Sequence, residues 1–204
     1  IELPNSLLHL EKYAFSGCKS LYTLKIPSKL QRISDYTFSK CISLTEIKIP
    51  GNIREIGYKS FSGCSGLREI SIPSTVKTVG IGAFENCTEL KDISLPTTLT
   101  EINYYTFSGC TSLTTLTLHS KLTAINNYAF AGCKSLTEIH CKNSNPPLIG
   151  ENTFRDVNRI GCKIFVPSKR AKKSYSTALY WNEFTIYIES VSYTHLRAHE
   201  TEAD

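Results

Sequence analysis

Six cysteines recur at a fixed interval: Cys18, Cys41, Cys64, Cys87, Cys110 and Cys133, each 23 residues after the last. Regularly spaced thiols could pair as disulfides, hold a metal or act as nucleophiles. Their neighbours decide between these. Phe stands three places before each Cys (Phe15, Phe38, Phe61, Phe84, Phe107, Phe130) and Leu three places after (Leu21, Leu44, Leu67, Leu90, Leu113, Leu136). A Cys between two apolar columns is a small buried filler. Stacked coils about 4.8 Å apart hold their side chains parallel, which is poor disulfide geometry. The sequence therefore predicts a ladder of buried, reduced thiols. A nucleophilic Cys also needs a His to take its proton and an exposed site that favours thiolate. Cys141 directly follows His140, so on a strand their side chains point to opposite faces. A zinc site from His119, His140 and a Cys lacks the C-x-x-C or H-x-x-x-H spacing such sites use. No phosphate-binding glycine motif is present. The reading assigns no catalytic residue, no metal ligand and no cofactor. Asn86-Cys87-Thr88 has the form of a glycosylation sequon, but its central Cys is expected to be buried, so the match is accidental.

The elements that position these residues follow from the same repeat. Pro recurs at Pro4, Pro27, Pro50, Pro73 and Pro96, then becomes His119 and Lys142. The unit reads I-P-x-x-L-x-x-I-x-x-x-x-F-x-x-C-x-x-L-x-x-I-x-I. In Leu44 to Ile49, Ile47 and Ile49 alternate with Glu46 and Lys48, the period of a half-buried strand, and Pro50 ends it because it cannot donate to a ladder. A second apolar pair (Leu30/Ile33, Ile53/Ile56, Val76/Val79, Leu99/Ile102, Leu122/Ile125) turns the return half of each coil inward. One 23-residue unit cannot bury a core, but stacked units bury a continuous one. The position before each Cys is Gly17, Lys40, Gly63, Asn86, Gly109 and Gly132, which predicts a positive φ there, strained at Lys40.

Composition sets the outer limits. The chain has 204 residues, eight Cys, no Met, 41% hydrophobic and 20% charged residues, and a net charge of +5. That charge is too mild to imply a nucleic-acid partner. No apolar stretch is long enough to span a membrane. No signal peptide is visible, and without an initiator Met the chain reads as a piece of a longer protein.

The F-x-x-C-x-x-L-x-x-I-x-I-P unit resembles the leucine-rich repeats of the BspA type, over about residues 1–190. The resemblance implies a right-handed leucine-rich-repeat superhelix, a solenoid with one parallel β-sheet face, short turns or 3-10 segments on the other side, and a C-terminal cap. It implies an exported or cell-surface protein whose repeats bind other proteins, some members being adhesins.

The rhythm breaks after Lys142. The chain divides into six repeats over 1–142, a degenerate seventh repeat with a cap over 143–190, and a tail over 191–204. In the seventh unit Phe154 keeps the Phe column, Val157 takes the Cys position and Ile164-Phe165-Val166-Pro167 replaces strand and Pro. The spacing V-P-x(7)-Y-x(5)-W-x-x-F resembles the family's cap and predicts a helix from about Lys169 to Tyr180 and a strand around Phe184 to Ile188. Lys169, Arg170, Lys172 and Lys173 make that helix basic, which reads as a solvated face or, alternatively, an anionic-surface contact. Val191 to Thr201 resembles the in-frame translation of a transposase-type sequencing adapter. That predicts a disordered, dispensable, non-native tail and a metagenomic source.

What remains for function is surface. The outward strand positions form two columns: Thr23, Glu46, Glu69, Asp92, Thr115, Glu138, and Lys25, Lys48, Ser71, Ser94, Thr117, His140. Glu46, Glu69 and Asp92 fall in one row and should repel one another. This is either an ordinary solvated sheet face or a ligand face for a basic or Ca²⁺-bridged partner. An alternative edge carries Tyr13, Tyr36, Tyr105 and Tyr128, with Lys59 and Gly82 in the same column, and Tyr58 and Tyr104 one place earlier; Tyr is favoured at protein-binding surfaces. The expectation is a non-enzymatic, monomeric protein-binding module with no nucleic-acid partner. Its alternatives are a targeting module of a larger exported enzyme and a structural spacer.

Overall fold

The computed structural model describes residues 2–189; the expectation for the tail at 191–204 lies outside them. The chain winds as a repeat solenoid of seven coils, numbered here by their Phe from Phe15 to Phe154. The six Phe from Phe38 to Phe154 are buried, and all seven rings stack along the axis at 5.2–5.6 Å, with planes within 14° of parallel.

Backbone hydrogen bonds account for the spacing. Around each Phe, alternate N–H groups close turns within the coil and reach the next coil. Tyr36, Phe38 and Lys40 donate to Tyr58, Ser60 and Ser62 at 2.7–2.9 Å, while Ser39 and Cys41 donate to Tyr36 and Phe38 within the coil. No N–H in this stretch has to be buried unpaired, which is what permits irregular backbone beside the core.

The sheet face is less uniform than the repeat. Strands Glu69–Ser71 and Asp92–Ser94 form a two-stranded parallel sheet. Strands Thr115–Leu118, Glu138–Cys141, Lys163–Val166 and Thr185–Ile188 form a four-stranded one. The strand expected at Leu44 to Ile49 is extended but makes no ladder, and the same holds in coil 1. Lys25 and Lys48 face each other there, and Glu46 faces Glu69. Charge alone does not decide this, since Glu69 and Asp92 face each other and still pair; the longest ladder runs through Thr115, Glu138 and Lys163. The return half holds turns and a second set of two-residue parallel strands, Arg32–Ile33, Glu55–Ile56 and Thr78–Val79, then Glu101–Ile102, Ala124–Ile125 and Leu148–Ile149. No 3-10 segment lies in the repeats among the described residues.

The positive-φ positions fall where glycine usage placed them: Gly17, Gly63, Gly109 and Gly132, with Lys40 at +60° and Asn86 at +59°. The thiols depart from the filler reading in two ways. First, the five from Cys41 to Cys133 each make a bond. The Phe carbonyl of one coil accepts from the Cys N–H of its own coil and from the Cys Sγ of the next, with Sγ distances of 3.0 Å (Cys41 to Phe15, Cys64 to Phe38) to 3.4 Å (Cys110 to Phe84). A weak donor of that size satisfies a second lone pair that Ala or Val would leave bare. Second, Cys18 is only half-buried, with no coil on its outer side among the described residues, whereas the five later ladder thiols are buried. All eight cysteines are free.

Beyond coil 7 the helix Lys169–Thr177 starts at Ser168, whose hydroxyl accepts from Ala171 N at 3.1 Å. It ends at Thr177 rather than Tyr180, and a 3-10 turn, Trp181–Glu183, follows that the sequence reading did not include. Tyr175, Trp181 and Phe184 close over Phe154 and the end of the core. The Trp181 indole N–H donates to the Pro147 carbonyl at 2.8 Å, which ties the Pro147 turn to the cap. Lys169, Arg170, Lys172 and Lys173 are exposed.

Candidate functional site

The strand face carries its columns in register. Glu69 pairs with Asp92 and Ser71 with Ser94; Thr115 pairs with Glu138, and Thr117 with His140. Thr23, Lys25, Glu46, Lys48, Glu69, Ser71, Asp92, Ser94 and Thr117 are exposed, and Thr115, Glu138 and His140 are half-buried. Coils 1 to 4 share a shallow concavity of about 600 Å³ that these columns line from Thr23 to Ser94. Its floor is low because Ser71 and Ser94 are short beside Lys25 and Lys48. Among the described residues, Glu46, Glu69 and Asp92 make no salt bridge, and neither do Lys25 and Lys48. The row thus presents three carboxylates on successive coils without an ion-pair partner, and Lys25 and Lys48 in the neighbouring column offset their field toward the N-terminal end.

The face changes character at its other end. His140 lies between two carboxylates, with Nδ1 at 3.2 Å from Glu189 and Nε2 at 3.5 Å from Glu138. Lys142 also reaches Glu189, at 2.7 Å, and this bond with the His140 contact holds the Glu189 carboxyl below its ordinary pKa. The second column continues as Phe165 and Tyr187: His140 stacks on Phe165 at 4.8 Å, and Phe165 packs on Tyr187 at 5.7 Å. Sequence reasoning stopped the column at His140. The signal was present, since Phe165 stands two places before Pro167 as Lys25 does before Pro27, but the insertion after Lys142 hid the phase. His140 is thereby part of a cation–carboxylate network within the chain, and no group of three or more His, Cys, Asp or Glu among the described residues is placed to hold a metal.

On the coil edge the Tyr column is not uniformly exposed. Tyr13 and Tyr105 are exposed, Tyr36, Lys59 and Tyr128 are half-buried, and Gly82 is buried where Lys59 meets Glu85 at 3.1 Å and both side chains lean over it. Every member of the column takes left-handed backbone, with φ from +46° to +63°. A residue with a side chain there is strained by about 1–2 kcal/mol, and Gly82 is the one member free of it. Tyr13 stacks on Tyr36 at 4.6 Å and Tyr105 on Tyr128 at 4.9 Å, each pair recovering about 0.5–1.5 kcal/mol. The neighbouring column adds Tyr58, Ile81 and Tyr104, exposed by 38%, 39% and 44%; Ile81 was missed by attention to Tyr alone.

Burial holds the Cys87, Cys110 and Cys133 thiols protonated, a bond with Cys41 and then burial do the same for Cys64, and that bond shifts the Cys41 thiol downward. Desolvation pushes Cys87 and Cys133 up to about 12, so neither is a nucleophile at neutral pH. Cys87 is buried and the Thr88 hydroxyl donates to the Ser65 carbonyl, so both later positions of the sequon are engaged in the coil. No helix among the described residues is long and apolar enough to cross a membrane.

No protein of curated function matches the sequence. Solved structures do. A leucine-rich repeat protein from Bacteroides ovatus is 25% identical with a TM-score of 0.65, covering 92% of this chain and 50% of its own. A leucine-rich cell surface protein from Faecalibacterium prausnitzii is 27% identical with a TM-score of 0.58, covering 86% and 55%. A leucine-rich repeat protein from T. pallidum is 28% identical with a TM-score of 0.57, covering 63% and 61%. The chain therefore spans about half to three-fifths of the length of these neighbours. The profile of the BspA type leucine-rich repeat region matches in six copies, over residues 1–110 and 54–178. Together with the stacked Phe and Cys columns, this makes the chain a member of the BspA-type leucine-rich repeat family.

Proposed function

We propose that this repeat domain is the ligand-binding part of an exported, surface-displayed protein, that it grips a protein partner along its strand face in the manner of an adhesin, and that it performs no chemistry of its own. The observation that carries this reading is the row of Glu46, Glu69 and Asp92, free of ion pairs among the described residues, along a concavity four coils long. A solenoid presents such a row as an extended ruler, so affinity gathers from several coils at once. The partner's complementary feature is a basic surface, steered by the row's potential. Surface display is supported by the Faecalibacterium neighbour, described as a cell surface protein. The domain acts as a monomeric module within a longer chain.

The test is the triple change Glu46→Gln, Glu69→Gln, Asp92→Asn, assayed against a panel of immobilised extracellular-matrix and cell-surface proteins. The parent is expected to bind a basic member of the panel, and the variant to bind it more weakly, with the difference shrinking as salt rises. Binding unchanged by a chelator points to a basic rather than a Ca²⁺-bridged contact. A triple variant that binds as tightly as the parent at low salt refutes the strand face as the site.

A further inference from the structure

The cap helix carries a charge pattern that its packing does not ask for. Of the helix Lys169–Thr177 the core takes Ala171 and Tyr175, both buried. At about 100° per residue, Lys169, Arg170, Lys172 and Lys173 fall on the opposite arc, and all four are exposed. None forms a salt bridge among the described residues, and the helix has no Asp or Glu. The placement costs the domain twice. Lys169 repels Lys172 and Lys173, and Arg170 repels Lys173, at spacings of three and four residues. All four also crowd the end of the helix where its dipole is already positive. A partner bringing negative charge relieves both. Nearby acids do not supply it: Glu183 and Glu189 are taken by Arg159 and Lys142, and over residues 143–189 seven Lys and Arg stand against four Asp and Glu. The acidic strand row ends at Asp92, three coils before coil 7 at 5.4–5.6 Å per coil, farther than the Debye length of about 8 Å.

The arc also selects the kind of anion. Its next turn adds only Ser176 and Thr177, both exposed; the exposed Leu179 stands past the helix's end, more than a turn beyond Lys173. A protein partner finds no apolar anchor among the cations, such as binding hot spots use. A bilayer finds no apolar face to take up, since the helix's own lies in the core. Nothing there stacks on a base. What reads this arc reads charge alone, and it must place several anions within about 6 Å, the rise from Lys169 to Lys173. A densely sulfated polysaccharide does so, with fixed, closely spaced charges on a hydrophilic chain, and short Lys- and Arg-rich runs form patches for such polymers. The choice of sulfate over other dense polyanions rests on the strand-face reading, which sets the domain against extracellular matrix.

We propose that the outer face of the cap helix, through Lys169, Arg170, Lys172 and Lys173, binds a densely sulfated linear polysaccharide at a site separate from the strand face. The probe is a fluorescently labelled heparan sulfate oligosaccharide titrated into the full chain without any protein partner, so failure of the strand-face test leaves this one readable. Saturable binding is expected, weakening more than about tenfold from about 50 to about 200 mM salt as counterions are released. Lys169→Gln, Arg170→Gln, Lys172→Gln and Lys173→Gln together keep good helix formers on exposed positions. That variant should melt no lower than the parent, yet bind about tenfold or more weakly. Should it melt lower, Lys172→Gln with Lys173→Gln, which spares the first two helical positions, carries the same expectation of weaker binding. Lys25→Gln, Lys48→Gln, Lys77→Gln and Lys91→Gln remove equal charge from exposed positions on the coils and should keep binding within about threefold. Five results overturn the proposal: no binding by the parent, full binding by the cap variant, equal loss in both four-fold variants, equal binding of an unsulfated polysaccharide, or tighter binding of poly(glycerol phosphate) or phosphatidylglycerol vesicles.

Discussion

His119 occupies the position that Pro holds in five earlier units, and replacing it tests how the fold responds to a departure from its own repeat. Its carbonyl accepts from Leu122 N at 3.2 Å, as Pro27, Pro73 and Pro96 accept from Leu30, Val76 and Leu99 at 3.0–3.2 Å. The turn is the same, so Pro fits it. The His side chain is poorly served: it is 8% exposed, Nδ1 accepts a long bond from Lys121 N at 3.3 Å, and Nε2 is buried with no partner. His119→Pro stiffens the unfolded chain, worth about 0.4–1 kcal/mol, and removes an unsatisfied group that costs about 1–3 kcal/mol, against the loss of one weak bond and some packing. The net expectation is a gain of about 1 kcal/mol near pH 8, or roughly 2–4 °C in melting temperature. The gain should grow in acid. Burial, with the Lys121 charge adding to it, holds the His119 pKa below 6.5. The unfolded chain therefore takes up the proton first, and the parent's stability, full above pH 6.5, falls as pH drops below it, by at most about 1.4 kcal/mol per unit. The Asp35 and Glu189 carboxyls, held down by Lys12 and Lys142 from ordinary values of 3.8 and 4.5, contribute stability that is lost only at lower pH. Urea unfolding followed by circular dichroism, at about pH 8 and about pH 5, measures both effects. A variant less stable than the parent at the higher pH, or a gap that does not widen at the lower one, refutes the reasoning.

Phe61→Ala empties a buried site stacked on both sides and should cost about 3–5 kcal/mol, while Phe15→Ala, half-buried with one stacked neighbour, should cost less than half of that in the same urea assay. Lys40→Gly keeps the bond from its N–H to Ser62 and relieves a left-handed backbone, so it should raise stability by about 0.5 kcal/mol after glycine's entropy is counted. Thiol labelling of the native protein, read by mass spectrometry, should modify Cys18 first and leave Cys64, Cys87, Cys110 and Cys133 untouched until unfolding; early labelling of Cys87 would contradict its burial.

The repeat was legible because its inward columns are repeated demands. Phe38, Cys41 and Leu44 sit in the same cavity as Phe61, Cys64 and Leu67, one coil on, so the same residue types solve the same packing problem, and periodicity exposes them. Glycine usage likewise located the positive-φ site before each Cys. The second positive-φ column escaped notice because Tyr, not Gly, fills it, and Tyr carries no sequence mark of left-handed backbone; Gly82 alone hinted at it. The Sγ-to-Phe bonds could not be read at all, since a Cys chosen for size and one chosen as a donor look identical in sequence. The missing ladder in coils 1 and 2 has no mark in the sequence, since Leu24/Ile26 and Ile47/Ile49 alternate just as Ile70/Ile72 do in a coil that pairs. Phe165 and Tyr187 were lost to a change of phase.

Comparison of the coils with one another separates packing from binding. Inward columns keep their residue type through six units because each member is held by neighbours on both sides. Outward columns are not fixed by the core, and the strand columns vary: Thr, Glu, Glu, Asp, Thr, Glu in one and Lys, Lys, Ser, Ser, Thr, His in the other. The edge column behaves differently. It keeps Tyr in four of six units although every one of them is held in a backbone conformation that favours glycine. All four are stacked, as Tyr13–Tyr36 and Tyr105–Tyr128, and Tyr36 also meets Tyr58 edge-on at 5.2 Å, so ring contacts within the chain offset part of this strain. Stacking between neighbouring coils is one internal reason for the recurrence of Tyr there. Binding on the strand face would run through charge, and salt should erase it; binding on the edge would run through ring surface, and salt should not. That opposite dependence lets a single titration series assign any partner to one surface or the other.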